Sequence, residues 1–285
     1  MRKLYLLIIG IVTTFIFIGC GVNMQPMQVK TNSGYTAHAD NYKVDEKTTS
    51  KDIVFIAIHG KGTPVNHPRL TSLYTSLLDN GYETIALEMP WSTNWSGTFE
   101  EGLALIDATI NKVIASGRKP ILIGHSLGAA ASLIYVGKNP NNKLLGVIAI
   151  APGHMLHNSN KMQKVTASSV KKANTLISES KGNVRSSFKE LNNGKIRNVT
   201  MSAEAYKSYY DTDSFPNVEM LLGDINTPTL WIAGKSDRLT KVYSMSVLFT
   251  ELAQNSKNKY VLVDGNHTDV VQNSSGTVIN WVSGL

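Results

Sequence analysis

The fold is decided by the stretch Pro120-Ile121-Leu122-Ile123-Gly124-His125-Ser126-Leu127-Gly128. A short apolar run ends in the first glycine, and after the second glycine the chain continues with three alanines. This is Gly-x-Ser-x-Gly in the context of a strand, a sharp turn and a helix. A serine at the tip of a strained turn exposes its hydroxyl, and the flanking glycines let strand and helix approach without Cβ clashes. The pattern predicts a nucleophile at Ser126, provided that the rest of the chain supplies its partners.

The chain on both sides of this stretch alternates between predicted strands and helices. Val- and Ile-rich strands are predicted at 52–58, 83–88, 120–124, 144–150, 229–233 and 259–263. Helical spacing is found at 69–80, 99–116, 127–137, 241–254 and 269–282. Such alternation predicts a three-layer α/β fold, in which a mostly parallel sheet carries helices on both faces.

The alternation breaks between residues 154 and 226, which have helical but no clear strand patterns. Ligands of open α/β sheets bind at the carboxyl edge of the strands, so an insertion after a strand end is placed to cover a site. We therefore predict a core formed by residues 51–153 and 227–285, with 154–226 as a helical lid.

The N-terminus has the pattern of an export signal. Met1-Arg2-Lys3 is basic, residues 4–18 are almost all apolar, and Gly19-Cys20 follows, which predicts a signal peptide over 1–19. Phe17-Ile18-Gly19-Cys20 resembles the bacterial lipobox, which implies a lipid on Cys20 and an exported protein anchored to a bacterial membrane; plain secretion is the alternative. The polar residues 20–50 are predicted to be a tether between lipid and domain, with a short strand near its end as an open alternative.

Composition excludes several classes of function. The net charge is +7 over 285 residues, but no run of five basic residues accompanies it, so a nucleic-acid partner is not predicted. Cys20 is the single cysteine, which excludes an intrachain disulfide. The sequence has no zinc signature, Gly-x-Gly-x-x-Gly or Walker loop, and we predict neither a metal nor an organic cofactor.

Three motifs lie at predicted strand ends. They are His59-Gly60-Lys61-Gly62, the pentapeptide around Ser126, and the late pair Gly234-Lys235-Ser236-Asp237 and Asp264-Gly265-Asn266-His267. With these motifs, the chain from about residue 52 to 285 resembles the α/β-hydrolase superfamily of serine esterases and lipases, whose members carry serine, acid and histidine in that order. The resemblance implies the three-layer α/β-hydrolase fold and a catalytic triad of Ser126, Asp237 and His267.

The chemistry of the three side chains agrees with this assignment. A serine hydroxyl attacks only when an adjacent base takes its proton, and His267 is the candidate base. Asp237 would hold the imidazole in the required tautomer. Asp264 is the rival acid, but it would have to fold back to reach a ring only three residues away. His125 is expected to point away from the site.

Two backbone amides are candidates for an oxyanion hole. The Leu127 amide follows the nucleophile at a helix N-terminus, and the resemblance implies the Lys61 amide as the second donor. Four residues are candidates for lining a substrate pocket: His59, Trp91, Trp95 and His154. The alternatives are that His59 orders the loop and that the tryptophans are packing anchors.

The predicted function is hydrolysis of a small-molecule or lipid ester through an acyl-enzyme on Ser126. A thioesterase, an amidase or a peptidase would use the same triad, because the fold does not determine the substrate. A non-catalytic lipoprotein with this fold is the alternative from another class, and the complete triad argues against it.

Overall fold

The computed structural model describes residues 23–45 and 49–285, and a sheet of eight strands lies at its centre. In chain order the strands of this sheet are β1 (Asn23–Lys30), β2 (Thr36–Lys43), β3 (Ile53–Ile58), β4 (Glu83–Leu87), β5 (Lys119–His125), β6 (Gly146–Ile150), β9 (Thr229–Gly234) and β10 (Lys259–Val263). The two remaining strands, β7 (Arg185–Asn192) and β8 (Lys195–Ser202), form a separate hairpin. The spatial order is β1-β2-β4-β3-β5-β6-β9-β10. In this spatial order, the six strands from β4 to β10 pair in parallel. Strand β2 pairs antiparallel with both β1 and β4.

Helices cover both faces of the sheet. They are α1 (Pro68–Asp79), α2 (Phe99–Ala115), α3 (Leu127–Lys138), α4 (Asn160–Ser178), α5 (Ala203–Tyr210), α6 (Arg238–Val242), α7 (Met245–Thr250), α8 (Asp269–Asn273) and α9 (Ser275–Val282), with a 3-10 helix at Glu219–Asp224. Successive strand residues face opposite sides, so Ile56 packs with α2 and α3, whereas Phe55 packs in the layer of α1, α8 and α9. The predicted three-layer α/β-hydrolase fold is confirmed.

Two predicted helices are interrupted. The segment predicted at 241–254 is divided into α6 and α7 by Ser244, whose φ of 48° lies in the left-handed region. The segment predicted at 269–282 is divided into α8 and α9 at Ser274. Apolar periodicity continues across both breaks, so the sequence pattern alone did not reveal them.

The predicted tether is wrong for residues 23–43, which form two strands of the central sheet. Strand β2 pairs with β4, and its residues Ala37, Ala39 and Tyr42 are buried, the alanines on one face of the sheet and the tyrosine on the other. Alanine gives a weak apolar signal, which explains why the alternating pattern of β2 was missed. Within the described residues, the sheet therefore starts at Asn23 rather than near residue 51.

The insertion, residues 154–226, is not purely helical. Between α4 and α5 it contains a hairpin of β7 (Arg185–Asn192) and β8 (Lys195–Ser202). Asn193 and Gly194 turn the chain with φ of 49° and 75°, as a two-residue hairpin loop requires. Phe188 attaches the hairpin to α5 by stacking on Tyr206, with ring centroids 4.4 Å apart.

Cys20 and the signal peptide over 1–19 lie outside the described residues. Within residues 23–45 and 49–285, none of the helices has the length and apolar character needed to cross a bilayer.

Removal of the first two strands tests their place in the core. A chain that starts at residue 49 should unfold with a free energy at least about 3 kcal/mol below that of a chain starting at residue 23, because apolar side chains lose their burial and β4 becomes an open edge. Urea denaturation followed by circular dichroism measures the difference. Equal stability of the two chains would restore the tether interpretation.

Candidate active site

Ser126 lies at the turn between β5 and α3, in a strained backbone conformation. Its φ is 55° and its ψ is −118°, a region that non-glycine residues occupy at a cost of about 1–3 kcal/mol. Its N–H donates to the Ile150 carbonyl at 3.1 Å, and its own carbonyl accepts from Ala130 and Gly153, both at 3.0 Å. These three bonds hold the conformation from both sides of the turn.

The two glycines of the pentapeptide are required by close backbone contacts. A Cβ on Gly124 would lie 2.3 Å from the Gly128 carbonyl oxygen, and a Cβ on Gly128 would lie 2.3 Å from the Ile58 carbonyl oxygen. Both distances are far below van der Waals contact. The start of α3 can therefore lie directly against β5 and the end of β3, which places the Ser126 hydroxyl at the carboxyl edge of the sheet.

The structure brings Ser126, His267 and Asp237 into one hydrogen-bonded chain. The His267 Nδ1 atom is 2.8 Å from Asp237 Oδ2, and the His267 Nε2 atom is 2.9 Å from Ser126 Oγ. Because the carboxylate accepts, Nδ1 carries the proton and Nε2 is free to accept the serine proton. The second oxygen of Asp237 accepts from the Leu239 amide at 2.8 Å, which fixes the carboxylate at the start of α6.

Asp264, the rival acid, does not reach the histidine. Its side chain is 84% exposed and pairs with Lys235 at 2.9 Å, whereas that of Asp237 is 1% exposed. A buried carboxylate stabilises an imidazolium more strongly than a solvated one, because water does not screen the charge. The geometry therefore supports Asp237 as the acid.

His125 stands outside the hydrogen-bonded chain of the triad but contacts the backbone of His267. Its Nε2–H donates to the His267 backbone carbonyl at 2.8 Å, and the two rings lie 5.1 Å apart. Burial, followed by the neighbouring His267, lowers the pKa of His125 to about 3, so the ring is neutral. His125 is thus a support for the loop that carries His267.

The 59–62 loop faces the serine from β3. His59 fixes it: Nδ1–H donates to the Gly60 carbonyl at 2.8 Å, and Nε2 accepts from the Met89 amide at 2.9 Å. The Gly62 amide donates to the Trp91 carbonyl at 2.8 Å. Among the described residues, neither the Lys61 nor the Leu127 amide donates to any protein acceptor, so both are available to an oxyanion.

A cavity of about 580 Å³ opens at Ser126 and His267. Its walls come from the insertion, the 59–62 loop and the start of α6, and they include Lys61, His154, Lys161, Met162, Leu191, Arg238, Leu239 and Val242. His154 is buried in this wall, where its Nε2–H donates to the Tyr209 carbonyl at 2.7 Å. Burial, and then the Lys61 charge, lower the pKa of His154 to about 3.

Three predicted pocket residues do not line this cavity. His59 is fully buried under the loop that it orders. Trp91 is fully buried too, because its indole N–H donates to the His59 carbonyl and its ring stacks on Phe99. Trp95 packs on Tyr209 and borders a separate cleft. Their roles are structural, as the alternative interpretation expected.

One ionic contact near the site is not predicted by the sequence. The Lys61 side chain pairs with Glu190 of β7 at 2.9 Å. Glu190 lies in the polar segment where no strand was predicted, so no sequence signal placed it near the 59–62 loop. In the part of the chain that the structure describes, no group of three or more His, Cys, Asp or Glu side chains is arranged to hold a metal ion.

Comparison with known families agrees with this geometry. The family described as serine aminopeptidase, S33, matches residues 93–270, which is more than half of the chain and includes the serine, the acid and the histidine. The chain belongs to this family. It is therefore a member of the α/β-hydrolase superfamily.

Solved structures share the fold at low sequence identity. An esterase of Pyrococcus furiosus is 15% identical, with a TM-score of 0.62 and coverage of 92% of this chain and 90% of the esterase. A monoacylglycerol lipase of Paleococcus ferrophilus is 20% identical, with a TM-score of 0.63 and coverage of 92% and 99%. A thioesterase domain from the curacin biosynthetic pathway is 14% identical, with a TM-score of 0.61 and coverage of 91% and 99%. Among curated protein sequences, none matches this chain.

The His125 support can be tested by substitution. His125→Phe removes the hydrogen bond to the His267 carbonyl and should lower kcat for an ester about tenfold, the factor expected for one buried hydrogen bond. His157→Phe is a matched control, because His157 also contacts a carbonyl, that of Phe215 at 2.8 Å, but within the insertion. Steady-state kinetics of the two purified variants would refute the supporting role if their kcat values were equal.

Proposed function

We propose that this protein is a serine hydrolase that cleaves carboxylic esters through an acyl-enzyme on Ser126. One observation carries the proposal, namely the hydrogen-bonded chain from Ser126 through His267 to Asp237, at the mouth of a cavity. The backbone amides of Lys61 and Leu127, which donate to no described acceptor, support the proposal as candidate oxyanion donors.

One side chain or backbone amide of the site is assigned to each step of the proposed reaction. Ser126 Oγ attacks the acyl carbonyl while His267 Nε2 takes its proton, and the carbonyl oxygen becomes an oxyanion that the Lys61 and Leu127 amides bind. His267 then gives the proton to the leaving alcohol, and the acyl-enzyme forms. Water, deprotonated by His267, attacks the acyl-enzyme in the same way and releases the acid.

The cavity favours an acyl or alcohol group of modest size. Met162, Leu239 and Val242 form an apolar side, and Lys161 and Arg238 add positive charge. Its volume of about 580 Å³ is within the range of small-molecule sites. The esterase and the monoacylglycerol lipase among the solved structures are in keeping with such a substrate.

Two other leaving groups use the same machinery. A thioester would pass through the same acyl-enzyme, and one of the similar structures is a thioesterase domain. An aminopeptidase would need an anionic partner for the free amino group of its substrate. Asp237 is the sole carboxylate among the residues lining the cavity, all of them described, and it is bound to His267. The charges at this site therefore favour an ester over an aminoacyl amide.

The nucleophile and the leaving group can be tested together. The wild-type protein should hydrolyse p-nitrophenyl butyrate and bind a fluorophosphonate covalently, whereas Ser126→Ala should lose at least about 10⁴-fold in kcat and should not be labelled. Leucine p-nitroanilide should be a poorer substrate than p-nitrophenyl butyrate by at least about 100-fold in kcat/KM. Absorbance kinetics and mass spectrometry of the labelled peptide supply both readouts.

Ser132→Ala is a suitable control, because Ser132 is a buried serine of α3 whose hydroxyl bonds to the Gly128 carbonyl. It should keep both activity and labelling. A folded wild-type protein that never reacts with the fluorophosphonate would favour the non-catalytic alternative. Faster turnover of leucine p-nitroanilide than of the ester would favour an aminopeptidase.

We also propose export and lipid anchoring at Cys20, on the bacterial membrane face where lipoproteins are held. The support is the basic start, the apolar run and the Gly19-Cys20 pair of the sequence. Three residues span at most about 11 Å, so a lipid on Cys20 would hold Asn23, the first residue of β1, close to the bilayer surface. The membrane would then supply substrates that partition into it.

Lipidation predicts incorporation of labelled palmitate into the wild-type protein in a bacterial host, together with its recovery in the membrane fraction. Cys20→Ser should abolish the label, because the thioether cannot form. Equal fractionation of the two proteins without label would indicate plain secretion or a retained apolar anchor.

A further inference from the structure

We propose that Glu190 of the insertion is a positioning residue for the oxyanion hole, acting through its buried ion pair with Lys61. The proposal rests on the proposed function, in which the Lys61 amide is an oxyanion donor. It assigns to the insertion a part in the chemical step, in addition to covering the cavity.

The Lys61 ammonium is held entirely by the insertion. Its side chain is 6% exposed, and its Nζ lies 2.9 Å from Glu190 Oε2, 3.1 Å from the Leu191 carbonyl and 3.3 Å from the Tyr210 hydroxyl. An ammonium has three hydrogens, so all of its donors have acceptors. These contacts determine where the Lys61 side chain lies. Because the side chain and the amide nitrogen are bonded to the same Cα atom, the contacts also restrict the peptide unit that carries the amide.

Glu190 is equally well fixed. Its side chain is 2% exposed, its Oε2 atom also accepts from the Tyr210 hydroxyl at 2.7 Å, and its Oε1 atom accepts from Arg197 at 2.6 Å. Burial alone would raise the pKa of Glu190, but Lys61 and the hydrogen bonds from Lys61 and Tyr210 outweigh burial and hold that pKa below its ordinary value. The carboxylate is therefore ionised and opposes the Lys61 charge.

The neighbours of Lys61 in the 59–62 loop are attached to the core instead. His59 bonds the Gly60 carbonyl, and the Gly62 amide bonds the Trp91 carbonyl at 2.8 Å. Gly60 itself is tightly packed, because a Cβ there would lie 3.2 Å from Ser126 Cβ. Lys61 is the residue of this loop that is bound to the insertion, and its amide donates to none of the described protein acceptors.

Loss of the Glu190 charge should therefore act on the oxyanion. An unpaired ammonium is unfavourable in this buried site, so Lys61 would turn toward solvent and carry its amide with it. Removing one oxyanion donor typically lowers kcat about 10²–10³-fold. Displacing a donor should lower kcat by a smaller factor. Binding of the ground-state ester should change little, since the oxyanion forms only in the transition state.

The experiment compares Glu190→Gln, Lys61→Met and the double variant with the wild type. Hydrolysis of p-nitrophenyl butyrate gives kcat and KM, and inhibition by butylboronic acid gives Ki. Glu190→Gln should lower kcat about 10- to 100-fold with KM within about threefold, and the Ki of the boronate should rise by a similar factor. Lys61→Met should show the same pattern, and the double variant should lose no more than the stronger single one, since both break one interaction. Titration with a fluorophosphonate counts the competent sites, meaning the active sites that react, and each kcat is divided by that count. Partial misfolding of a variant therefore does not lower its kcat.

Glu179→Gln is the matched control, because Glu179 also lies in the insertion and pairs with Lys181, but both side chains are about half exposed. It should change kcat by less than about twofold. Unchanged kcat per competent site in both single variants would overturn the proposal, even if the melting temperature fell. A loss confined to KM, or losses that add in the double variant, would overturn it as well. A wild-type protein that hydrolyses no ester would instead refute the proposed function.

Discussion

The geometry of the candidate active site is set by one strained residue, Ser126, whose backbone is held at a φ of 55°. The strain persists because Ile150, Ala130 and Gly153 bond both of its backbone groups. It also requires close backbone contact, which side chains at Gly124 and Gly128 would prevent. The cost of about 1–3 kcal/mol is offset by the surrounding sheet, and its result is a hydroxyl at the sheet edge, within 2.9 Å of His267 Nε2.

Once the serine is fixed, each partner reaches it from the end of another parallel strand of the same sheet. The 59–62 loop follows β3, Asp237 follows β9, and His267 follows β10. Parallel strands bring all their carboxyl ends to one edge, so residues distant in sequence converge without long loops. The sequence could predict this convergence, because buried strands have strong apolar patterns and the motifs follow them directly.

The sequence did not predict what depends on weak patterns or on packing between segments. Strand β2 buries small alanines, and β7 carries Lys189 and Glu190, so neither has the apolar pattern of a core strand. The Asn193-Gly194 pair is a typical two-residue hairpin loop, and it is a signal in the sequence that indicates the hairpin of β7 and β8. The position of Trp91 depends on packing against Phe99 of α2, and the Lys61–Glu190 pair depends on how the insertion folds back. Local sequence carries little information about such contacts.

In the proposed mechanism, Ser126 is the nucleophile and the Lys61 and Leu127 amides bind the oxyanion. A crystal structure of the protein with butylboronic acid tests both roles at once, because a boronic acid forms a tetrahedral adduct with a reactive serine. We expect boron bonded to Ser126 Oγ, with one boronate oxygen about 2.7–3.1 Å from both amide nitrogens. An adduct on another residue, or an oxygen beyond about 4 Å from both amides, would contradict it.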